Sequence, residues 1–438
     1  MLFLIWGIFL LSHLLSPQRR RMFILFGTIW WCMDKKKFVA NEQNAKIESH
    51  SGNTFFIGLL SFFGGISQDI ILPVLPIYLA TVLHLDKSFI GFTEGLVTSS
   101  ASIFKIVSGF LSDKLRKNKA IAFFGYLLSL IGRPLLALTS SAGFVLVLRF
   151  FDGIGKGLKD SPKDALIADS TQKESRGKGF GIVRALDTLG SVVGPLILFA
   201  LLYFLANNRL KYHYIFFISA IPLFITLAII VFFVKEVPYA KKDPRKTLSF
   251  ALPKQFYYFL GIVVLFSLGN SSDTFLILRA QNVGVGLLTI PLVYALFNFI
   301  YATASIPLGS LSDKIGREKV ILLGWIAYAI AYMGFGFARQ GYQIWLLFAF
   351  YGIYYATTEG VAKAFIADIT PPEYRGRAYG VYNAIIGLVT LPASILAGFL
   401  WDRVNPSAPF FFGALMAALA AIILFLFTRL YNPKKLLL

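Results

Sequence analysis

Gly109-Phe-Leu-Ser-Asp-Lys-Leu-Arg-Lys-Asn-Lys119 returns 200 residues later (109 to 309) as Gly309-Ser-Leu-Ser-Asp-Lys-Ile-Gly-Arg-Glu-Lys319. Ala165-Leu-Ile-Ala-Asp-Ser-Thr-Gln-Lys-Glu-Ser-Arg-Gly177 returns as Ala364-Phe-Ile-Ala-Asp-Ile-Thr-Pro-Pro-Glu-Tyr-Arg-Gly376, at an offset of 199 (165 to 364). Gly65-Ile-Ser-Gln-Asp69 returns as Gly269-Asn-Ser-Ser-Asp273, at an offset of 204 (65 to 269). Three matches near one offset mark an internal duplication.

The composition sets the solvent in which the duplicate folds. The chain has 438 residues, 57% of them hydrophobic and 15% charged, with a mean hydropathy of +0.69. That leaves too little polar surface for a soluble protein of this size. The apolar residues form blocks of about twenty or more, enough to cross roughly 30 Å of hydrocarbon as helices. They do not alternate with period two, as a barrel requires. Twelve spans follow residue 50, at approximately 54–83, 88–112, 119–139, 143–168, 177–205, 213–235, 256–283, 287–312, 319–338, 342–368, 376–401 and 408–430. The expected fold class is an all-α membrane protein, with twelve transmembrane helices in two pseudo-symmetric six-helix bundles. Parallel repeats of this kind are related by an axis along the membrane normal, and the binding site lies between them near the midplane.

The domain reading follows. Residues 54–235 and 256–430 are the two bundles, 236–255 a cytoplasmic linker holding Lys241, Lys242, Arg245 and Lys246, and 431–438 a cytoplasmic tail. Residues 1–53 fit neither bundle. Leu2–Leu15 is short for a span, and the charges Arg19, Arg20 and Arg21 follow it, whereas a signal peptide carries charge before its apolar run. The expectation is a partly disordered extension or an upstream start codon, with the chain beginning at Met33; an interfacial segment is the alternative.

The net charge is +20, but the basic residues sit in short loops between spans, so no nucleic-acid partner is expected. Lys114, Arg116, Lys117, Lys119, Lys173, Arg176, Lys178, Lys314, Arg317, Lys319, Arg375 and Arg377 fall on one side. By the positive-inside rule both termini are cytoplasmic, in a multi-pass protein of the cell (inner) membrane. One cysteine, Cys32, excludes an internal disulfide, and four histidines offer little for a metal centre. No Walker loop, nucleophile motif or cofactor motif is present, so the chain reads as no enzyme and needs no cofactor.

On these motifs the chain resembles the major facilitator superfamily of secondary transporters, over residues 54–430. Gly109, Leu111, Asp113 and Lys117 fit its loop signature G-x-L-x-D-[RK]-x-G-[RK], with Arg116 in place of the last glycine; the second copy, Gly309, Asp313 and Arg317, keeps that glycine as Gly316. The resemblance implies that both loops latch the cytoplasmic side, with the aspartate meeting a helix N-terminus, where a carboxylate is stabilised. Arg149-Phe-Phe-Asp-Gly-Ile-Gly155 is similar to the family's R-x-x-Q-G-x-G, with Asp152 replacing glutamine. Gly181, Gly190, Gly194 and Pro195 resemble the antiporter signature G-x8-G-x3-G-P-x2-G-G, although Leu198 and Phe199 stand where its last glycines would be. This partial match implies export by proton exchange. The same glycines also read as close helix packing and a kink.

Ionisable residues inside a span face a cavity or one another. Asp69, followed by Pro73 and Pro76, and Asp273 occupy equivalent places in the two copies and are candidate proton carriers, with Arg149 and Asp152; a hydrogen-bonded structural aspartate is the alternative for Asp69 and for Asp273. A carboxylate in a low-dielectric site exchanges protons nearer neutral pH. Lys156, Arg184, Asp187, Asn270, Asn298, Glu359 and Lys363 are candidate cavity residues; pairing of Arg149, Lys156 and Arg184 with Asp152 and Asp187 is the alternative. Lys163, Asp164, Asp169 and Asp368 read as salt bridges of gates or loops; Tyr294 and Tyr301 of span eight and Tyr351, Tyr354 and Tyr355 of span ten read as cavity lining or as packing and interfacial anchors. The partners expected are a small-molecule solute, protons and the lipid bilayer, with the protein a monomer. Proton-coupled export of a small organic solute is the leading function. Import of an organic anion or metal chelate is the second, and a non-transporting receptor the third.

Overall fold

The computed structural model describes residues 51–115, 117–171, 176–236, 252–371 and 374–430. The expectations for the first fifty residues, most of the linker and the tail lie outside them. Among the described residues no strand occurs. The helices are α1 (Ser51–Ile71), α2 (Leu75–Thr81), α3 (Lys87–Leu115), α4 (Asn118–Leu138), α5 (Ala142–Ser170), α6 (Arg176–Phe204) and α7 (Lys211–Phe232), then α8 (Lys254–Gly269), α9 (Thr274–Asn282), α10 (Ile290–Ile315), α11 (Arg317–Phe337), α12 (Gly341–Asp368), α13 (Arg375–Arg403) and α14 (Ala408–Leu430). α1 with α2, and α8 with α9, each make one interrupted helix, so the described residues form twelve long helical segments, at the places of the twelve spans expected from the sequence. Ten of them, among the described residues, are long and apolar enough to span a membrane. α5 and α12, with 29 and 28 residues, have the length without the apolarity.

α1 lies along α6 and α7, and α5 between α3 and α4. Correspondingly, α12 packs on α10 and α11, and α14 on α8 and α11. The largest contacts between these two groups are α3 with α13 and α6 with α10. Glycines let the backbones meet. A Cβ at Gly125 would stand 2.7 Å from the Gly155 carbonyl oxygen, and one at Gly155 2.8 Å from that of Gly125, so α4 and α5 touch backbone to backbone. Gly153 faces α3 in the same manner, 2.6 Å from the Val97 carbonyl oxygen. Between α1 and α6, Gly190 would clash with the Phe62 carbonyl and Gly194 with that of Ile66 (2.9 Å). Gly181 has open space around it, so this member of the antiporter-like pattern takes no part in the packing. Pro195 sits inside α6.

Two breaks frame the centre. The first, at residues 72–74, follows from Pro73, which donates no hydrogen bond. The second, at residues 270–273, has no proline and interrupts the single span expected over 256–283. It falls on Asn270-Ser-Ser-Asp273, side chains that compete for backbone partners. Tyr328 donates its hydroxyl to the freed Gly269 carbonyl (3.0 Å), and the Ser272 N–H donates to the Ser394 hydroxyl (3.2 Å).

Candidate functional site

A cavity of about 750 Å³ lies where α1, α3, α4, α5 and α6 face α10 and α12. Its wall runs from Gln68 and Asp69 to Lys163, Asp164 and Lys363, near the C-terminal ends of α5 and α12. Asp164 and Lys363 are exposed, so the cavity opens at that face. At the opposite face α3 and α13 close against each other: a Cβ at Gly95 would meet the Leu391 Cα at 2.7 Å, and one at Gly398 the Lys87 carbonyl oxygen at 2.5 Å. A side chamber of about 210 Å³ reaches Asp273, Tyr294, Asn298 and Tyr355 and shares Arg184, Asp187, Tyr301 and Glu359 with the main cavity.

Asp69 lines the main cavity at 6% exposure, three residues before the first break. Asp273 lines the side chamber at the second break and accepts the hydroxyls of Tyr351 (2.6 Å) and Tyr355 (3.1 Å). Among the described residues neither carboxylate has a cation within 4.0 Å. Both carboxylates thus lie beside helix breaks without an ion pair among the described residues, and Asp273 is hydrogen-bonded as a structural aspartate would be.

Arg149 and Asp152 are buried between α3, α4 and α5, behind the cavity wall. Arg149 donates to Glu94 (2.6 Å) and Asp152 (3.0 Å), Ser129 donates to Asp152 (3.2 Å), and Lys156 reaches Asp152 (3.4 Å) from the cavity. Arg149 Nε has no hydrogen-bond partner among the described residues. The charge-pairing alternative describes this group, with Glu94 as a partner that the sequence reading did not choose.

Arg184 stands between the repeats. It donates to both Glu359 oxygens (2.9 Å each) and to the Tyr301 hydroxyl, which itself donates to Glu359. Asp187 lies 3.6 Å from Arg184, and Lys363 3.8 Å from Glu359. Asn298 donates to the carbonyls of Ser191 (3.1 Å) and Tyr294 (3.2 Å), joining α10 to α6. Asn270 donates to the Tyr354 hydroxyl (3.2 Å) and lines a third chamber, of about 160 Å³, with Phe266, Trp325, Tyr355 and Tyr382.

The family follows from sequence matches that agree with this architecture. The Major Facilitator Superfamily profile matches residues 57–278 and 256–437. An uncharacterised MFS-type transporter of Methanocaldococcus jannaschii is 36% identical over 393 residues, 88% of this chain and 96% of its own. The chain belongs to the Major Facilitator Superfamily. A class B tetracycline resistance protein of Escherichia coli is 24% identical over 406 residues, 86% of this chain and 95% of its own. The fold agrees with solved structures of the nucleoside transporter NupG (TM-score 0.68, 12% identity, 86% of this chain and 98% of that one) and of a D-xylose-proton symporter (TM-score 0.66, 19% identity, 87% and 97%). The superfamily is one of multi-pass membrane transporters, not of enzymes.

The two superfamily loop copies differ in their surroundings. In the second, Arg317 reaches Asp313 (3.4 Å) and Asp368 (3.0 Å), as read for Asp368, and Gly316 has φ +102°, a conformation that glycine takes without strain. Gly309 lies in open space, and a Cβ at Gly109 would stand 3.2 Å from the Ser161 hydroxyl oxygen. In the first copy the Asp113 side chain lies outside the described residues and Lys117 is exposed before α4. The carboxylate at the α4 N-terminus is Glu236, which accepts the N–H groups of Asn118 (2.7 Å) and Lys119 (2.9 Å).

One reading changes. Lys163 and Asp164, expected in salt bridges of gates or loops, line the cavity, and among the described residues neither is in an ion pair. Of the tyrosines named as cavity candidates, Tyr294, Tyr301 and Tyr355 line the side chamber. Lys159 and Asp160 also line the main cavity without having been chosen; their position one turn after Lys156 was the available signal. Arg279 caps α11 by donating to the carbonyls of Phe335, Gly336 and Ala338 (3.0 Å each).

Proposed function

We propose that this superfamily member moves a small polar organic solute by alternating access, in exchange for protons. The observation that carries the reading is the cavity of about 750 Å³ shared by both repeats, open at one face and closed at the other by α3 against α13. Rocking of one six-helix bundle (54–235) against the other (256–430), linked through 236–255, exposes that cavity to each side in turn. The open face is cytoplasmic, as are both termini, because the basic loops lie there. The protein works as a monomer in the cell membrane.

Asp69 and Asp273 take up the protons. Bound solute and bound proton each favour one orientation by their differential affinity for it. The tetracycline resistance and multidrug resistance proteins among the relatives support export. The test is counterflow in proteoliposomes with the lumenal pH recorded. Protons moving opposite to the solute are expected, and Asp69→Asn should abolish the coupled flux while the protein remains folded. Protons moving with the solute would overturn exchange, and unchanged flux in Asp69→Asn would overturn the role of Asp69.

A further inference from the structure

The cavity offers a solute two different chemistries on its two sides. On α5, Lys159 and Lys163 stand one turn apart and both line the main cavity. Among the described residues neither has a carboxylate within 4.0 Å. Every other lysine or arginine of that cavity does: Lys105 with Asp160 (3.8 Å), Lys156 with Asp152 (3.4 Å), and Arg184 and Lys363 with Glu359 (2.9 and 3.8 Å). Lys159 lies instead over the Tyr126 ring, 4.7 Å from its centroid, and Asp160, Asp164 and Asp187, which line the same cavity, stay beyond 4.0 Å of both lysines. Two such cations four residues apart repel each other and together attract one anionic group.

Across the cavity is the chamber of about 160 Å³ in the second repeat. Its walls are Phe266, Trp325, Tyr354, Tyr355 and Tyr382. Phe266 and Trp325 stack with centroids 4.9 Å apart and planes 10° apart. The volume suits a single planar ring, since an apolar cavity of about 150 Å³ holds benzene. Glu359 lines both spaces and marks their junction. Its charge is met by Arg184, Lys363 and the Tyr301 hydroxyl, so it does not repel an anion passing beside it.

We propose that the solute is an aromatic organic anion, its ring in the aromatic chamber and its carboxylate held by Lys159 and Lys163. This rests on the transport reading above and names the class of solute.

The test is equilibrium binding to the purified full chain in detergent, with three matched probes: a phenylalkanoate, the cyclohexylalkanoate of equal length and the phenylalkylamine. Phenylalkanoates of different chain length are tried first, and the tightest sets the length. The phenylalkanoate is expected to bind, the cyclohexyl analogue about tenfold more weakly for loss of ring stacking, and the amine not at all. Replacing both lysines by glutamine (Lys159→Gln with Lys163→Gln) should weaken phenylalkanoate binding by about tenfold or more. Lys159→Arg with Lys163→Arg should keep it, which separates lost charge from lost fold. Equal binding of the cyclohexyl analogue, tighter binding of the amine, no phenylalkanoate binding, or no effect of the glutamines would each overturn the inference. Binding needs no gradient. Failed counterflow with the expected binding order would therefore sink the proton exchange alone, and counterflow of other solutes without phenylalkanoate binding would sink this inference alone.

Discussion

Asp402, in the last turn of α13, accepts the backbone N–H groups of Lys87 (3.3 Å) and Ser88 (2.7 Å) and the Ser88 hydroxyl (2.7 Å). A carboxylate of the second repeat thus caps the first turn of α3 in the first repeat, where the helix dipole favours negative charge. The contact lies at the closed face, and it must break whenever that face opens.

Asp402→Ala should therefore shift the population toward opening at that face. Spin labels at Asp86→Cys and Val404→Cys, in a Cys32→Ser background, should report a longer distance in this variant. An unchanged distance distribution would show that the cap does not hold the face shut.

The Arg149 group makes a prediction about stability. Glu94→Ala leaves a buried guanidinium with Asp152 as its remaining close partner, and breaking a buried pair costs about 3–5 kcal/mol. Thermal unfolding in detergent should fall well below that of Glu94→Gln, which keeps a hydrogen-bond acceptor. Equal midpoints for the two variants would show that the pair contributes little.

The glycines of α6 separate by position. Gly190→Ala drives a methyl into the Phe62 carbonyl and should cost about 1–3 kcal/mol, as overpacking does. Gly181→Ala enters open space and should stay within about 0.5 kcal/mol. Unfolding midpoints that do not differ would refute backbone contact between α1 and α6.

Arg184 and Glu359 act across the repeats as one unit. Arg184→Gln and Glu359→Gln should each slow counterflow, and the double variant should be no slower than the worse single one, because partners in one interaction are not additive. Losses that multiply would mean that the two residues serve separate steps.

The crossings were legible in the sequence because apolar blocks and short basic loops mark them without reference to tertiary contacts, and the repeat marked Asp69 and Asp273 as equivalents. The break before Asp273 was not legible, because no proline signals it and its freed carbonyl is met by Tyr328, 59 residues away. Glu94 stayed unchosen for a similar reason: 55 residues separate it from Arg149, and only packing of α3 on α5 joins them. Lys163 was misread because nearness to a helix end resembles nearness to water, whereas α5 carries it along the cavity wall. Gly181 shares the spacing of Gly190 but not its neighbour, and spacing alone does not distinguish a glycine under a carbonyl from one in open space.

The polarity of α5 and α12 bears on how the chain enters the membrane during synthesis. A single charge at a helix centre opposes insertion by about 2.5–3.5 kcal/mol, and α5 carries Arg149, Asp152, Lys156, Lys159 and Asp160 along its length. Such a segment does not partition into lipid alone. It must be held at the insertion machinery until α3 and α4, already made, supply Glu94 and the glycine-lined groove. The helices that form the cavity wall are thus the ones whose insertion waits on neighbours, and a weakened groove would appear as a lost topology before it appeared as a lost activity.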